Sequence, residues 1–392
     1  MIISDNFLQK SSLAVVISRS PSIFWKAENA DSEKDSPVLV RNDIGGFEKF
    51  VGVIICSSAP GEMNIQPKRE ESVRFTCSLE VLPRRSDGGE SVKRIAMQSA
   101  IEAFHLATND WSKIEKEHED AWTNLQSPAF YIDHSLAPNV LNSELINRTR
   151  YAILSNVLVN AERKTVQRDL CYTGHSTMLF PSKLWQPYAR TADEIVSLVH
   201  VWLVTLEKRG CMGLLKTGAH GVTQAIVLSL IGASFHHGHL EVGLDPADLH
   251  RHVSVSGIVV NESISDTMSF HINILTDNRP HLIVSSSGGN LFGCDAGCMD
   301  EPVLLSQNGI ELPVKVTKPL TSILYVAVKK EHLQELKNAI HVADVDVAPA
   351  HDNDVIEMHK NGGGGSLPTS VCKYISHKYY PLLFRLSPIL FF

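Results

Sequence analysis

The chain has 392 residues, of which 43% are hydrophobic and 20% are charged. This balance is typical of a folded globular protein and excludes a disordered or fibrous chain. At roughly 100 to 200 residues per domain, the length predicts two to three domains. The formal net charge is -7, and the sequence has no basic cluster of the kind that neutralises phosphates. We therefore expect no nucleic acid partner.

The first 88 residues predict a β-rich unit, which we interpret as the truncated end of a β-sandwich. Turn residues separate the strand-like runs Val38–Arg41 and Phe50–Cys56. Apolar and polar residues then alternate from Ser72 to Leu82, which predicts a strand with one wet side. The face of this strand that we predict to be buried carries Val73, Phe75, Cys77, Leu79 and Val81.

From residue 89 the apolar period changes from two to three and four. Apolar residues follow this spacing from Ile101 to Leu125, which predicts one long amphipathic helix. Further helices are predicted at residues 141–161, 191–208 and 221–235, and the last two are apolar on nearly every side, which indicates burial. We therefore predict a linker helix and a helical unit over residues 89–250.

The period of two returns at Val253, which predicts a C-terminal β unit over residues 251–360 with one short helix at Glu331–Ala339. Residues 361–392 are predicted to be a flexible glycine-rich linker followed by an atypical apolar tail. The fold class is therefore mixed α and β and multidomain. It has an N-terminal antiparallel β unit, a central helical unit and a C-terminal antiparallel β unit.

The cysteine content indicates an oxidising compartment. No further Cys or His ligands follow Cys294 and Cys298 at zinc-finger spacing, so we predict that these two form a disulfide. Asn147 and Asn261 each begin an Asn-x-Ser/Thr acceptor for N-glycosylation, which fits the secretory pathway. The pairing of the remaining five cysteines stays open: Cys56, Cys77, Cys171, Cys211 and Cys372.

We expect neither end of the sequence to act as a secretion or anchoring signal. The first apolar stretch, Leu13–Ile17, is shorter than the apolar core of a signal peptide. The apolar tail from Tyr379 to Phe392 contains prolines and an arginine, and it falls short of the roughly 20 residues that cross a bilayer. We therefore interpret the chain as a fragment or an alternative product of a longer precursor.

A histidine-rich stretch is the densest set of potential metal ligands. Its centre is His236, His237 and His239, with further histidines and carboxylates as far as His252. A catalytic zinc ion would need three of these side chains to converge around an open fourth position. The competing interpretation, which we prefer, is a polar connection between a helix and a sheet, whose imidazoles would charge in an acidic lumen. We expect no metal and no cofactor.

Asp295, Asp300 and Glu301 form the best group of carboxylates and are the candidate catalytic residues. Glycoside hydrolysis and calcium binding both require carboxylates that are paired in space. In the competing interpretation, which we favour, Asp295 accepts hydrogen bonds from turn amides in the disulfide loop. Asp300 and Glu301 then begin the next strand.

Six groups of segments carry a family resemblance: Asn147-Arg-Thr-Arg-Tyr151, Arg168-Asp-Leu-Cys-Tyr172, His220-Gly221, Leu244-Asp-Pro246 with Leu249-His250, Phe292-Gly-Cys-Asp-Ala-Gly-Cys-Met-Asp-Glu-Pro302, and Pro313-Val-Lys-Val-Thr317 with Ile323-Leu-Tyr-Val-Ala327. They resemble an animal family of uncharacterised type I membrane glycoproteins, whose human member is known only by a cDNA-project label. The resemblance covers roughly residues 90 to 368. It implies a signal peptide, a large lumenal domain and one C-terminal membrane span, in the endoplasmic reticulum or the Golgi.

The layout of predicted elements is similar to a second family. A β unit, a helix bearing His118–Trp122, buried helices and a second β unit resemble the plan of the inverting α-glucoside phosphorylases and hydrolases built on a six-hairpin helical barrel. That barrel needs about twelve helices, whereas the sequence predicts three after the linker helix. The resemblance implies shared architecture more than shared activity.

Three functions are compatible with these features. The first is a lumenal glycoprotein domain that acts by binding an unknown protein or glycan ligand. The alternative is a carbohydrate-active enzyme that uses a carboxylate pair. The third is a metal hydrolase centred on His236–His239. The sequence leaves the ligand and the oligomeric state open.

Overall fold

The computed structural model describes residues 2–4, 13–16, 26–28, 38–44, 50–57, 62–65, 70–72, 76–83, 89–157, 171–179, 182–186, 189, 191–236, 238–261 and 266–362. The predicted linker and tail beyond Gly362, with Cys372, lie outside the described residues, as does His237. The mixed α and β class is confirmed, with antiparallel sheets in the N-terminal and C-terminal regions and helices between them.

The strands of the described residues are, in chain order, β1 (Ile2–Ser4), β2 (Leu13–Val16), β3 (Lys26–Glu28), β4 (Val38–Ile44), β5 (Phe50–Cys56), β6 (Glu62–Ile65), β7 (Glu70–Ser72), β8 (Cys77–Pro83), β9 (Ala129–Ile132), β10 (Ala233–His236), β11 (His239–Val242), β12 (Val253–Val259), β13 (Thr267–Ile274), β14 (Pro280–Ser286), β15 (Phe292–Asp295), β16 (Val303–Leu304), β17 (Ile310–Pro313), β18 (Lys315–Lys318), β19 (Leu324–Ala327) and β20 (Asp344–Val347).

The helices of the same residues are α1 (Gly89–Asn109), α2 (Trp111–Leu125), α3 (Ser143–Leu154), α4 (Ala192–Lys208), α5 (Met212–Leu215), α6 (Ala219–Leu230), α7 (Lys330–Ala339) and α8 (Asn353–Asn361). Three short 3-10 turns lie at Thr177–Leu179, Pro246–Asp248 and Ala296–Cys298. The predicted helix at 331–339 is therefore confirmed as α7, and the helix at 191–208 as α4.

Contacts divide the described chain into two compact units, one within residues 1–120 and the other within residues 121–378. The boundaries at 88, 250 and 360 that we infer from the sequence stay predictions about folding units. In the second unit, a single hydrophobic core contains residues from both sides of position 250. It contains Trp202 and Ile226 from helices and Val255 and Leu324 from strands.

The first unit contains a four-stranded antiparallel sheet in the order β3-β4-β5-β8, and α1 packs on β5 and β8. Alternate residues of β5, Val51, Val53 and Ile55, have no more than 1% exposure and form a core with Ala96 and Phe104 of α1. Burial of this apolar face is the main force that joins helix and sheet.

The predicted buried face of β8 is wrong. Ser78, Glu80 and Leu82 lie opposite the buried residues of β5 and therefore on the face that α1 covers. Val81, which we predict to be buried, has 44% exposure. Because β8 is the edge strand, β5 supplies most of the apolar surface beneath α1, and Glu80 is accommodated by a hydrogen bond from Ser99 of α1 at 3.2 Å.

The single long helix predicted to end at Leu125 is two helices. Helix α1 ends at Asn109 and α2 begins at Trp111. Between them, the Asp110 carboxylate accepts hydrogen bonds from the Lys113 amide and the Ser112 hydroxyl, both at 3.2 Å. An aspartate in this position satisfies amides that a new helix leaves unpaired, so Asp110 caps α2.

The second unit contains two five-stranded sheets, β17-β14-β13-β12-β9 and β10-β11-β19-β15-β16. The first sheet includes β9, which precedes α3 to α6 in the chain. Its residue Phe130 pairs with Val255 of β12. The second sheet begins with a hairpin of β10 and β11. The helix predicted at 221–235 is therefore wrong at its end, because α6 stops at Leu230 and Ala233–His236 is strand β10.

Helix α4 is fixed at its start and at its buried face. Thr191 and Glu194 form a reciprocal capping box, which satisfies two amides at the first turn. The Trp202 indole is fully buried, donates to the Leu184 carbonyl at 2.8 Å and stacks edge-on against Trp185. A buried tryptophan with its N–H satisfied contributes apolar area without the cost of an unpaired donor.

The burial pattern of α4 gives a direct test of the core. We expect Leu206→Ala to lower the free energy of unfolding by about 2–5 kcal/mol, because Leu206 is fully buried and its truncation leaves a cavity. Urea denaturation followed by tryptophan fluorescence measures the change. Val196→Ala is the control on the same helix, because Val196 has 59% exposure and its truncation is expected to cost within about 0.5 kcal/mol. Equal losses would contradict this packing.

Candidate functional site

All six cysteines in the described residues are paired. The structure joins Cys56 to Cys77, Cys171 to Cys211, and Cys294 to Cys298. The third pair links β15 to the 3-10 turn that follows it. These pairs answer the question that the sequence leaves open for four of the cysteines.

The Cys294–Cys298 loop lies beneath α7. Both cysteines are buried in a small cluster with Tyr325 of β19 and Leu333 of α7. Gly297, at the centre of the loop, has a φ of 72°, a left-handed conformation that glycine adopts without strain. The loop therefore anchors the turn between β15 and β16 to the outer face of the sheet.

Asp295 and Asp300 meet at one lysine. The Asp295 side chain is 2% exposed, and the Lys315 ammonium lies 2.6 Å from one oxygen of Asp295 and 2.6 Å from one oxygen of Asp300. The second carboxylate oxygen of Asp295, Oδ1, is buried and accepts no hydrogen bond from the described residues. The two aspartates are therefore held together by a shared cation.

The two aspartates respond differently to this environment. Burial raises the pKa of Asp295 above its ordinary value, against the opposing effect of the Lys315 hydrogen bond. The same lysine lowers the pKa of Asp300, whose side chain is 70% exposed. Burial acts to lower the pKa of Lys315, but the hydrogen bonds to both aspartates outweigh it and raise the pKa. The lysine is thus fixed in its charged form.

The arrangement of Asp295 and Asp300 differs from that of an inverting glycosidase pair. Two such carboxyl groups stand roughly 6.5–9.5 Å apart so that a water molecule fits between them. Here each carboxylate is 2.6 Å from the same Lys315 ammonium, so their bonded oxygens lie no farther apart than twice that distance. The ammonium occupies the space between them.

Glu301 is bound separately from the two aspartates. Its carboxylate lies 2.8 Å from the Lys330 ammonium and accepts a hydrogen bond from Gln334 at 2.9 Å, both on α7. These two contacts attach the chain just before β16 to α7, the helix that covers the Cys294–Cys298 loop. The structure therefore brings Asp295 and Asp300 together, whereas Glu301 is bonded to side chains of α7.

His236 and His239, at the centre of the histidine-rich stretch, lie on the paired strands β10 and β11, so their interpretation as part of a helix-to-sheet connection is wrong. His236 ends β10 and pairs across the hairpin with His239 at the start of β11. His239 is buried, and its two ring nitrogens contact His332 of α7 at 2.9 Å and Glu241 at 3.0 Å. Ser322 donates to the other oxygen of Glu241 at 3.0 Å.

The pKa of Glu241 is set by opposing causes. Burial raises it, but the hydrogen bond from His239 and the charges of His236 and His239 outweigh burial and lower it below its ordinary value. The chain from His332 through His239 to Glu241 is linear rather than convergent. Among the described residues, no three side chains of His, Cys, Asp or Glu are arranged to hold a metal ion.

Sequence reasoning misses a second group of histidines. The ring of His250 lies 4.7 Å from that of His351 and 5.7 Å from that of His359, measured between centroids. About a hundred residues separate His250 from the other two along the chain. Because neither spacing nor period joins them, no local pattern predicts this cluster.

The two glycosylation acceptors lie in different settings. Asn147 is exposed on α3, whereas Asn261 follows β12 and is half-buried. Thr149, which completes the first acceptor, is buried in the same helix. Modification at both asparagines stays a prediction.

The ion pair at Lys315 gives a test of the Asp295 environment. We expect Lys315→Met to destabilise the protein by about 3 kcal/mol at neutral pH, because it leaves the buried Asp295 charge unpaired. Lys318→Met is the matched control on the same strand, since Lys318 is 81% exposed and its loss is expected to cost at most about 1 kcal/mol. Urea denaturation measures both changes.

The pH dependence follows from the sign of the shift. Without Lys315, burial holds the pKa of Asp295 still farther above its unfolded value. A carboxyl with a raised folded pKa favours the folded state at low pH and loses that contribution as the pH rises. The deficit of Lys315→Met should therefore shrink from pH 7 toward about pH 4. A deficit that is equal at both pH values would contradict a buried charge.

None of the helices in the described part of the chain combines the length and the apolar composition that a bilayer-spanning helix requires. No solved structure matches the chain. The similarity to six-hairpin glucoside enzymes that the element layout suggests therefore stays a prediction.

Comparison with known proteins identifies relatives of this chain. It is 31% identical over 294 residues to the "Uncharacterized protein KIAA2013 homolog" of Xenopus tropicalis, which covers 70% of this chain and 47% of the relative. It is 29% identical over 332 residues to the homolog of Xenopus laevis, which covers 79% of this chain and 53% of the relative. The chain thus spans about half the length of these relatives. The family described as "Uncharacterized conserved protein (DUF2152)" matches residues 38–377, and the chain belongs to this family.

Proposed function

We propose that the chain is part of the lumenal domain of a single-pass type I membrane glycoprotein of the secretory pathway, in the endoplasmic reticulum or the Golgi. Its role there is to bind a protein or glycan ligand. The observation that carries the compartment is the complete pairing of the six described cysteines. Structural disulfides form and persist in oxidising compartments and are rare in the cytosol.

The positions of the pairs support this compartment further. The Cys171–Cys211 bond closes a separation of 40 residues, and both cysteines are no more than 1% exposed. A bond across such a separation restricts the unfolded chain and stabilises the fold by about 3–4 kcal/mol. A protein that depends on such a bond benefits from an environment that keeps it oxidised.

A binding role fits the carboxylates better than catalysis. Lys315 forms ion pairs with both Asp295 and Asp300, while Lys330 and Gln334 bind Glu301. A general acid or base must reach a substrate proton, and a nucleophile must reach a reacting carbon. The alternative function, a carbohydrate-active enzyme, therefore draws no support from these three residues.

The compartment is tested in animal cells that express the intact longer precursor. We expect an endoglycosidase that removes N-glycans to increase its gel mobility, because Asn147 is exposed on α3 and both acceptor triplets are intact. Asn147→Gln and Asn261→Gln should each reduce the shift, and the double variant should reduce it further. Asn156→Gln, which lies in no acceptor triplet, is the control and should leave the shift unchanged.

Peptide mapping without reductant provides a second readout on the same material. It should recover Cys171 linked to Cys211 and Cys294 linked to Cys298. A band that does not move with the endoglycosidase, together with free thiols at these positions, would contradict a lumenal location.

The enzymatic alternative is tested with purified protein and a panel of α-glucosides. We expect wild type and Asp300→Asn to release glucose, or glucose phosphate when phosphate is present, no faster than buffer does. The reason is that the Lys315 ammonium forms ion pairs with both Asp300 and Asp295. Turnover by the wild type that falls at least a hundredfold in Asp300→Asn would instead establish a carboxylate-dependent enzyme.

A further inference from the structure

Three histidines lie beside α8, one from the chain before β12 and two from the two ends of the α8 segment. His250 comes from the segment between β11 and β12, His351 precedes α8, and His359 lies in its last turn. The imidazole of His250 contacts both of the others, with ring centroids 4.7 Å from His351 and 5.7 Å from His359. We call these three residues the imidazole cluster.

Each histidine of the cluster is anchored by the surrounding structure. His359 is 8% exposed, and its Nδ1 shares a hydrogen bond of 2.8 Å with the buried hydroxyl of Ser135. His351 and His250 make hydrogen bonds to the backbone of Leu249 and Ala247, respectively. The Nε2 atom of His351 is buried and has no hydrogen-bond partner in the described residues. The rings are therefore fixed close together.

Backbone contacts attach the segment around α8 to the same region. The Leu136 amide donates to the His359 carbonyl at 2.8 Å, and the His351 amide donates to the Asn278 carbonyl at 2.9 Å. Release of α8 therefore requires that the imidazole cluster opens. When α8 and the segment before it are released, the rings of His351 and His359 separate from that of His250, and all three become exposed to water.

The charged groups that face the cluster are cationic. Arg251 acts on both His250 and His359 and disfavours their protonation. Arg251 itself donates hydrogen bonds to the carbonyls of Asp133 and Leu141, at 2.8 and 3.0 Å. No carboxylate in the described residues forms a hydrogen bond or ion pair with a histidine of the cluster.

The nearby carboxylates have other partners. Asp133 lies near Arg251 and 3.9 Å from His252, which is outside the cluster. Asp352 accepts from the Asp354 amide at 3.0 Å and so caps α8. Burial, and then the negative charge of Asp245, raise the pKa of Asp248. Protons that enter the cluster would therefore accumulate as unbalanced positive charge.

We propose that the imidazole cluster is an acid-sensitive latch that holds α8 and the segment before it closed at neutral pH and releases them as the pH falls. The latch depends on geometry: the His250 ring contacts the rings of His351 and His359, Arg251 acts on His250 and His359, and no carboxylate in the described residues is bonded to any of the three. It goes beyond the proposed function, because it assigns a conformational response to one part of the domain.

The direction of the response follows from the shifts. Burial, and then the neighbouring histidines, lower the pKa of His250 to about 4, and burial and Arg251 lower that of His359 to about 4. Burial also lowers the pKa of His351. The released segment, with ordinary values near 6.5, therefore binds more protons than the closed one. The latch is strongest above about pH 6.5 and weakens as the pH falls from there toward 4.

Hydrogen exchange on the purified chain tests the latch. The equilibrium constant for opening should rise by up to about tenfold per pH unit for each histidine that gains a proton. We therefore expect exchange from α8 amides, corrected for intrinsic rates, to increase on the order of a hundredfold between pH 7 and pH 5. Amides of α3 serve as the internal reference and should change far less.

Variants separate the latch from a purely structural role. His359→Asn keeps a polar atom near Ser135 but cannot take up a proton. The corrected exchange rate of α8 amides should therefore rise about tenfold less per pH unit than in wild type. His250→Gln with His359→Asn should remove most of it. His341→Gln, at an exposed histidine outside the cluster, is the control and should behave as wild type.

Two results would overturn the proposal. One is exchange from wild-type α8 that has the same corrected rate at pH 7 and pH 5. The other is equal pH dependence in wild type and His359→Asn, the milder variant, which also covers the case in which the double variant does not fold. Because the experiment uses purified protein in solution, its result is separate from the test of lumenal location.

Discussion

The unit formed by residues 121–378 depends on a helix that has almost no exposed surface. Every residue of α6 except His220 is buried, and the helix contacts α3, α4, β9 and β10. A helix that is apolar on all sides is stable only when other elements enclose it completely. In keeping with this requirement, β9, which precedes α3 to α6 in the chain, pairs with β12, which follows them, and α6 contacts β9.

The periodicity of the sequence predicts where helices and strands lie better than it predicts which of their faces pack against neighbouring elements. The apolar composition of α6 predicts its burial, and the strand at Phe50–Cys56 has the predicted bounds. The predicted burial of α4 on nearly every side is wrong, because one face of that helix, including Val196, is exposed. The same reasoning selects the wrong face of β8, because the alternation of one strand does not reveal that β5 supplies the apolar surface beneath α1. It also overlooks Asp110, because a capping residue changes the helix without changing the apolar spacing.

The candidate site could be predicted only where its residues are close in sequence. Cys294, Cys298, Asp295 and Asp300 stand out as one segment, and the structure places them in one loop. Lys315 gives no signal, because a lone lysine in a strand pattern has the same appearance whether it is solvated or bound to two carboxylates. Its contribution comes from the low exposure of Asp295, which only the packing of the second unit determines.

The two histidine groups show why charge partners, rather than burial alone, decide how a buried imidazole responds to acid. His239 contacts Glu241, a carboxylate whose pKa is lowered, so this buried imidazole has an acidic partner. His250 and His359 are also buried, yet the charged group that acts on both is Arg251. A proton gained there adds to existing positive charge and favours separation of the rings. The group that is dense in the sequence therefore has a carboxylate partner, whereas the group that the fold assembles from distant segments has an arginine beside it, and this second group is the one that we propose to respond to pH.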